Sequence, residues 1–276
     1  MKKRAISNSD GDEGVHYSTA LLRGLQILRA FTPADQSLGN LELAERTGLA
    51  KATISRLTHT LVGLGYLNYD HSLGRHSIGP ATIALGYSGL SASAVISVAR
   101  PLMQILSDQT NLTVSMGIKE GMDMMYVAYC RSQSPVMLRV TVGARLHMWR
   151  SAMGLAYIAG MNEVDREDLV EKLLRAEPQN SERIQTLISG ALERYGRDGF
   201  VVSYGEWYSF INAVGVPFMP TDGSQLVAIT CGGTTEIATK ESCETTLGPS
   251  LRQFAVDLQN GLSGQPTQPA LFPKGD

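Results

Sequence analysis

The sequence predicts an α+β protein in two parts: a small helical unit carrying a β-hairpin, then a larger unit built on an antiparallel sheet. Three observations carry this reading. The chain has 276 residues, long for one ordinary core and right for two domains of modest size. Two short helical stretches meet at Gly48 and are followed by two extended runs around a turn. Beyond residue 110 the chain alternates strand-like and helix-like stretches, with strands in series and a helix at the end. Apolar residues make up 43%, enough to bury a core.

Residues 1–16 and 261–276 are Gly-, Pro-, Ser-rich or polar and read as disordered tails. A helix is expected over Tyr17–Phe31, with Leu21, Leu25 and Leu28 as its buried stripe. A second runs from Leu41 to Thr47, with Asn40 as its N-cap and Gly48 ready for a left-handed turn. A third covers Thr53–Leu64, and Lys51 stands just before it. "GYLNYDHSLGRHSIG" then forms a hairpin whose turn lies near His71–Gly74. Pro80 suits the first position of the next helix, which reaches about Gly89. The helix over Ala94–Thr110 contains Pro101 and should kink or split there.

In the second unit, strands are expected at "TVSMGIKEG", "MDMMYVAYC", "VMLRVTVG", "FVVSYGE", "NAVGVPF" and "QLVAITCGG". Helices are expected at Ser151–Gly160, Asp165–Arg175, Ser181–Tyr195 and Lys240–Asn260. The domain limits follow: 17–79, a linker helix over 80–93, and 94–260. No apolar run reaches the ~18 residues of a membrane span, and "MKKRAISNSDGDEGVH" lacks the apolar stretch of a signal peptide. A cytoplasmic protein with no membrane partner is the expectation. Cys130, Cys231 and Cys243 are too few and wrongly spaced for a disulfide framework or a zinc site, so reduced core thiols and no metal are expected.

The net charge of −2 divides unevenly. Residues 1–90 carry 9 Lys and Arg against 7 Asp and Glu, and the remainder 15 against 19. The location of the basic groups is more telling. At about 100° per residue, Ile54, Leu57, Leu61 and Leu64 share one face of the third helix. Ala52, Ser55, Arg56, His59 and Gly63 share the other, with no acid among them. Two helices joined at a glycine form a helix-turn-helix, whose second helix enters a major groove. Small Ala52 and Ser55 permit close approach, Arg56 reaches a base edge or a phosphate, and Lys51 or Thr53 a phosphate. In or beside the hairpin turn, His71, Arg75 and His76 are placed to touch the neighbouring backbone. A basic two-helix unit also occurs in protein-binding modules, but the added hairpin favours double-stranded DNA.

"LLRGLQILRAF", "LELAERTGLAKATISRLTHTLVGLGYL" and "RHSIGP" resemble the N-terminal winged helix of the IclR family of bacterial transcription regulators. Downstream, "VARPLMQILSDQTN", "VGARLHMWRSAMGLAYIAGM" and "GFVVSYGE…VGVPF…GSQLVAITCGG" resemble that family's effector domain in the same order. The resemblance implies a winged helix-turn-helix, a linker helix and a GAF-like α/β effector domain with an antiparallel sheet. It further implies dimers or tetramers on palindromic operators, switched by a small metabolite; no cofactor is expected. It places that metabolite, a small acid, between Met148, Trp149, Ser151, Ala152 and Met153 on one side and Ser203, Ile211, Ala213, Thr230 and Gly232 on the other. Backbone N–H groups at a helix start suit a carboxylate, and Arg150 could add a charge-assisted contact.

The chain departs from the family in four places. Ala50 stands where proline is common, Leu155 follows Gly154 where lysine is usual, Phe210 stands for a glycine and Ala213 for a cysteine. With Trp149, Trp207, Tyr208 and Phe210 nearby, these exchanges point to an aromatic or bulky acid, as in a regulator of aromatic catabolism. The same aromatics would serve equally as core or interface. The alternative function, a small-molecule hydrolase or transferase, finds no G-x-S-x-G, H-E-x-x-H, Walker A or G-x-G-x-x-G. His147 is the one histidine of the second unit, and nothing in the sequence draws it to Cys231. A DNA-binding architectural protein would leave the long second unit without a purpose.

Overall fold

A computed structural model describes residues 17–132, 140–221 and 223–265. The chain divides after Ala92 into two compact units.

The first unit runs α1 (Thr19–Arg29), β1 (Leu38–Gly39), α2 (Asn40–Thr47), α3 (Lys51–Gly63), β2 (Leu67–Asp70), β3 (Arg75–Ile78) and α4 (Pro80–Ser91). Its antiparallel sheet has the order β1-β3-β2. Ile27, Leu38, Leu43, Ile54 and Leu67 form the core. Gly48 takes φ 73°, a left-handed conformation that ends α2 and turns the chain into α3.

Several expectations change. The buried residue of α1 is Ile27, whereas Leu21 and Leu25 are 63% and 47% exposed. The helix is apolar on two faces, and only one meets α3. On α3, Thr58 replaces Leu64 in the buried stripe: its hydroxyl donates to Ile54 O at 2.9 Å, while Leu64 is 63% exposed beyond the helix end. A side chain that satisfies its own polar atom can be buried as readily as an apolar one. Asn40 does not cap α2. The N-cap is Gly39, whose N–H donates to Glu42 Oε2 at 2.8 Å, and the Asn40 side chain turns to His76 instead. The two-residue β1 was not foreseen.

The loop between α1 and β1 is tied down by charge. Arg46 on α2 grips both oxygens of Asp35 (2.6 and 2.8 Å) and donates to Ala30 O (2.9 Å). Thr32 donates to the same carboxylate through its N–H and hydroxyl. The Arg46 and Thr32 hydrogen bonds hold the Asp35 carboxyl well below the usual carboxylate range.

The second unit begins with α5 (Ala94–Thr110), which passes through Pro101 as one helix. Proline removes one backbone bond there, and Pro101 faces solvent. There follow β4 (Thr113–Glu120), β5 (Asp123–Cys130), β6 (Arg145–His147), α6 (Ala152–Gly160), α7 (Glu163–Ala176) and α8 (Ser181–Asp198). Then come β7 (Val201–Tyr204), β8 (Ile211–Phe218), β9 (Val227–Thr234), a one-turn α9 (Lys240–Ser242) and α10 (Gly248–Leu262). The six strands form an antiparallel sheet in the order β6-β5-β4-β9-β8-β7. One face packs on α6, α7 and α8 through a core that includes Met124, Met153, Leu155, Ile158, Ile184 and Val201. On the other face Cys231 meets Thr110 of α5.

Two expectations change here. The strand "VMLRVTVG" falls partly on residues 136–139, outside those described, and its remainder turns at Gly143 (φ 85°); pairing resumes at β6. The last helix covers the expected residues but is locally rewound, since a π-helical stretch, Cys243–Leu247, joins α9 to α10. Of the residues read as tails, 1–16 and 261–276, Gly261 and Leu262 instead complete α10, and 1–16 and 266–276 lie outside the described part. All three cysteines are buried and free, and burial pushes the thiols of Cys231 and Cys243 up to about 12 and about 11.

Replacing Asp35 by Asn should destabilise the first unit by about 1–3 kcal/mol, the range for a hydrogen bond to a charged group. The depressed carboxyl makes this stability complete above the unfolded pKa of about 4. It is lost as pH falls through the folded value. Urea unfolding between pH 7 and pH 3 should therefore show a smaller acid-dependent loss in Asp35→Asn than in the parent.

Candidate nucleic-acid interface and ligand cavity

In the first unit, α3 starts after Ala50, whose φ of −62° and ψ of 143° let its carbonyl accept from Thr53 and Ile54 N–H groups. That φ is one proline would impose, so the helix start keeps its geometry without the ring. Lys51, Ala52, Ser55, Arg56 and His59 are exposed and Thr53 is half-buried. The side chains of Lys51, Arg56 and His59 enter no hydrogen bond or ion pair among the described residues. One helix face thus offers two unpaired cations and an imidazole with no acid beside them.

The hairpin is different. His76 is buried, 4% exposed, with Nε2 3.0 Å from Asn40 Oδ1, and burial pushes its pKa down toward the neutral ring. Arg75 is committed within its own unit: it donates to the Ser37 hydroxyl and carbonyl and pairs with Glu42 at 2.7 Å. Neither residue is placed as the sequence suggested. His76 is wedged under β3, and Arg75 staples β3 to the start of α2. The hairpin tip is formed instead by exposed His71, Ser72 and Leu73, folded over the Asp70 carboxylate.

In the second unit, a cavity lies between the start of α6 and one face of the sheet. It encloses about 430 Å³ of empty space, its open mouth included. Its lining contains Ser151, Ala152, Met153, Ser203, Ile211, Ala213, Thr230 and Gly232, as expected, together with Thr113, Ser115, Tyr126, Leu146 and Trp207. The pairing register explains the floor. Thr113, Gly232, Ala213 and Ser203 are opposite one another across four strands and form one row on one face. The next row contains Ser115, Thr230 and Gly215, with the Ser115 and Thr230 hydroxyls 3.2 Å apart. Residues two apart on a strand share a face. The sequence hides these rows, since their members are up to 119 positions apart.

The roof is the first turn of α6. Ser151 caps it: the hydroxyl donates to His147 O at 3.0 Å and accepts the Gly154 N–H at 3.1 Å. Ala152 and Met153 thereby present N–H groups that have no acceptor within the helix.

Three expected residues do not line the cavity. Met148 and Trp149 are buried in the core, where Trp149 Nε1 donates to Glu177 at 3.2 Å. Arg150 lies near the Trp149 ring, 5.6 Å from its centroid, and its Nε donates to Glu206 O at 3.3 Å. Glu206 also pairs with Arg183 at 2.5 Å. Arg150 therefore holds the loop that carries Trp207 rather than facing the cavity. Tyr208 and Phe210, on the same loop, are exposed. The enzyme alternative loses its dyad: exposed His147 and buried Cys231 are on strands three apart, about 14 Å. Among the described residues no His, Cys, Asp and Glu cluster could hold a metal, and no single helix is long and apolar enough to cross a membrane.

Replacing Arg150 by Ala should loosen the Trp207 loop by about 1 kcal/mol, one hydrogen bond's worth. In a Trp149→Phe background Trp207 is the sole tryptophan, and acrylamide should quench it more strongly once Arg150 is gone. Equal quenching would assign the restraint to Arg183 alone.

Comparison with known proteins matches both units. Residues 20–71 match the IclR helix-turn-helix domain, and residues 88–260 match the C-terminal domain of the bacterial transcriptional regulator IclR. The chain is 31% identical over 250 residues to the HTH-type transcriptional regulator TsaQ1/TsaQ2 of Comamonas testosteroni, covering 90% of each. It is 27% identical to the Pca regulon regulatory protein of Pseudomonas putida, covering 90% of this chain and 85% of that one. An IclR-family transcriptional regulator from Brucella abortus has a crystal structure that superposes with a TM-score of 0.81 at 34% identity, covering 94% of this chain and 96% of that one. A helix-turn-helix unit followed by a ligand-cavity unit on a six-stranded antiparallel sheet, matched along nearly its whole length, makes this chain a member of the IclR family of DNA-binding transcriptional regulators.

Proposed function

We propose that the protein is a regulator of a catabolic operon that senses a small, aromatic carboxylic acid. The exposed, acid-free face of α3 supports the DNA-reading half. Lys51, Ala52, Thr53, Ser55, Arg56 and His59 read a half-site, and the hairpin tip around His71 touches the flanking backbone. Arg75 and His76 act indirectly, by fixing the hairpin on α2. Exposed Leu21 and Leu25 on α1 and Ile83, Leu85 and Tyr87 on α4 favour a homodimer or homotetramer, which suits a palindromic operator.

The cavity supports the sensing half. It joins a helix start whose Ala152 and Met153 N–H groups have no acceptor within the helix, fit for a carboxylate, to a floor of small Gly232 and Ala213 suited to a flat ring, with Trp207 in the same lining. A relative at 26% identity, covering 88% of this chain and 92% of its own length, is the p-hydroxybenzoate hydroxylase transcriptional activator of Acinetobacter baylyi. A solved IclR homologue of Microbacterium hydrocarbonoxydans, with the same fold, is complexed with 4-hydroxybenzoate. The effector acts by preferring one DNA-reading arrangement of the protein, and only by as much as it prefers it.

Two measurements test this. Arg56→Ala should weaken specific DNA binding by about 1–3 kcal/mol, and affinity should fall steeply with salt; an unchanged operator preference removes Arg56 from base reading. In a thermal-shift panel, an aromatic acid at 100 times its Kd should stabilise the protein by about 2.7 kcal/mol. A response to glyoxylate or pyruvate alone would overturn the aromatic reading.

A further inference from the structure

We propose that the cavity selects an effector with one negative charge only and a second, neutral hydrogen-bonding group, read by Thr113 and Ser203 at the far row of the floor. The proposal rests on the aromatic-acid reading and narrows it.

Charge comes first. None of the thirteen lining residues is Lys, Arg, His, Asp or Glu, and Arg150 is turned to Glu206. The one place that favours an anion is the start of the nine-residue α6, where Ala152 and Met153 present their N–H groups. Tyr126 belongs to the same end. It is paired with Gly117, against which the Met153 side chain lies. Burial pushes its phenol up, so it stays a donor. A second carboxylate deeper in the cavity would be buried with no counter-charge.

Polarity comes second. Thr113, Tyr126 and Ser203 are 4%, 5% and 6% exposed, and their hydroxyls make no hydrogen bond among the described residues. The three line one cavity, and three hydroxyls that take no protein partner around one cavity suit a polar ligand, since polar groups shut away from water need partners. Thr113 and Ser203 close the two ends of the row whose middle is Gly232 and Ala213. That row is one same-face step, roughly 6.6 Å, beyond Gly215, where the Ala152 carbonyl meets the sheet. A single ring carrying an acid at one end and a hydroxyl toward the other spans that step. Its acid meets α6 and Tyr126, its face covers Gly232 and Ala213, and its hydroxyl reaches Thr113 or Ser203.

The test is calorimetric titration of the full chain with benzoate, 3-hydroxybenzoate, 4-hydroxybenzoate and terephthalate, repeated with the Thr113→Val/Ser203→Ala double variant and each single variant. In the parent protein one hydroxybenzoate should bind about tenfold tighter than benzoate, and terephthalate about 100-fold or more weaker than that hydroxybenzoate. In the double variant the hydroxybenzoate-to-benzoate ratio should fall to about one. Effector-free DNA binding and near-ultraviolet circular dichroism report whether it has folded. Terephthalate binding as tightly as the hydroxybenzoates, or a hydroxyl preference that survives in a folded double variant, overturns the proposal while the aromatic-acid reading stands. Failure of every aromatic acid to bind the parent, benzoate included, overturns both.

Discussion

The second unit depends on how closely α6 can lie on its sheet. A Cβ on Gly215 would sit 2.6 Å from the Ala152 carbonyl oxygen, and one on Gly117 would sit 2.2 Å from Met153 Sδ. Two strands are bare where the helix comes down, so its first turn meets backbone rather than side chains. The helix is covered on nearly every side: seven of its nine residues are buried, between the sheet and the α7–α8 layer. Ser151 fixes the start by joining His147 O to the Gly154 N–H. With the helix held at that height, its N–H groups overhang a row of small residues, and a cavity is the geometric result. A side chain on β8 at Gly215 would lift α6 and uncouple the amides from the floor.

The same logic sets what was legible in the sequence. α3 was readable because its two faces differ in chemistry: Ile54 is buried, while Lys51, Ser55, Arg56 and His59 are outside. Periodicity could not tell that Thr58 would go inside, because its hydroxyl is satisfied by its own helix at Ile54 O. Nor could it tell that His76 would be buried against Asn40, 36 positions away. The helix-side wall of the cavity was legible as a helix start, and Ser203, Ile211, Ala213, Thr230 and Gly232 by resemblance. Thr113, Ser115 and Tyr126 were missed because only strand pairing brings β4 and β5 beside β9. Arg150 was misplaced for a related reason: its partner, Glu206 O, lies on a loop 56 positions later.

Charge is managed in opposite ways in the two sites. Several arginines among the described residues are neutralised locally: Arg46 by Asp35, Arg75 by Glu42, Arg183 by Glu206 and Arg194 by Glu244. Such pairs contribute little stability individually when exposed, but they remove their cations from the external field. Lys51 and Arg56 are left unpaired on one helix face, so a chain with net charge −2 still presents a local positive stripe. Polyanion attraction depends on that local potential rather than on the total. The cavity removes charged side chains altogether and relies on peptide dipoles and hydroxyls.

A neutral cavity has a consequence for discrimination. The hydroxyls of Thr113, Tyr126 and Ser203 line the cavity and make no hydrogen bond among the described residues. A ligand that enters and closes them off must offer them groups of its own. One that matches loses little, whereas one that leaves a buried hydroxyl unmet costs about 1–3 kcal/mol for each. Polar sites therefore reject an analogue that lacks a group more sharply than apolar sites reject one that adds a methylene. A cationic residue in the same position would have blunted this, because strong attraction to any acid would have masked the unmet hydroxyls. For a regulator, whose output depends on the difference in affinity between states rather than on affinity itself, weak, neutral and geometrically exacting contacts are the better means of telling one acid from another.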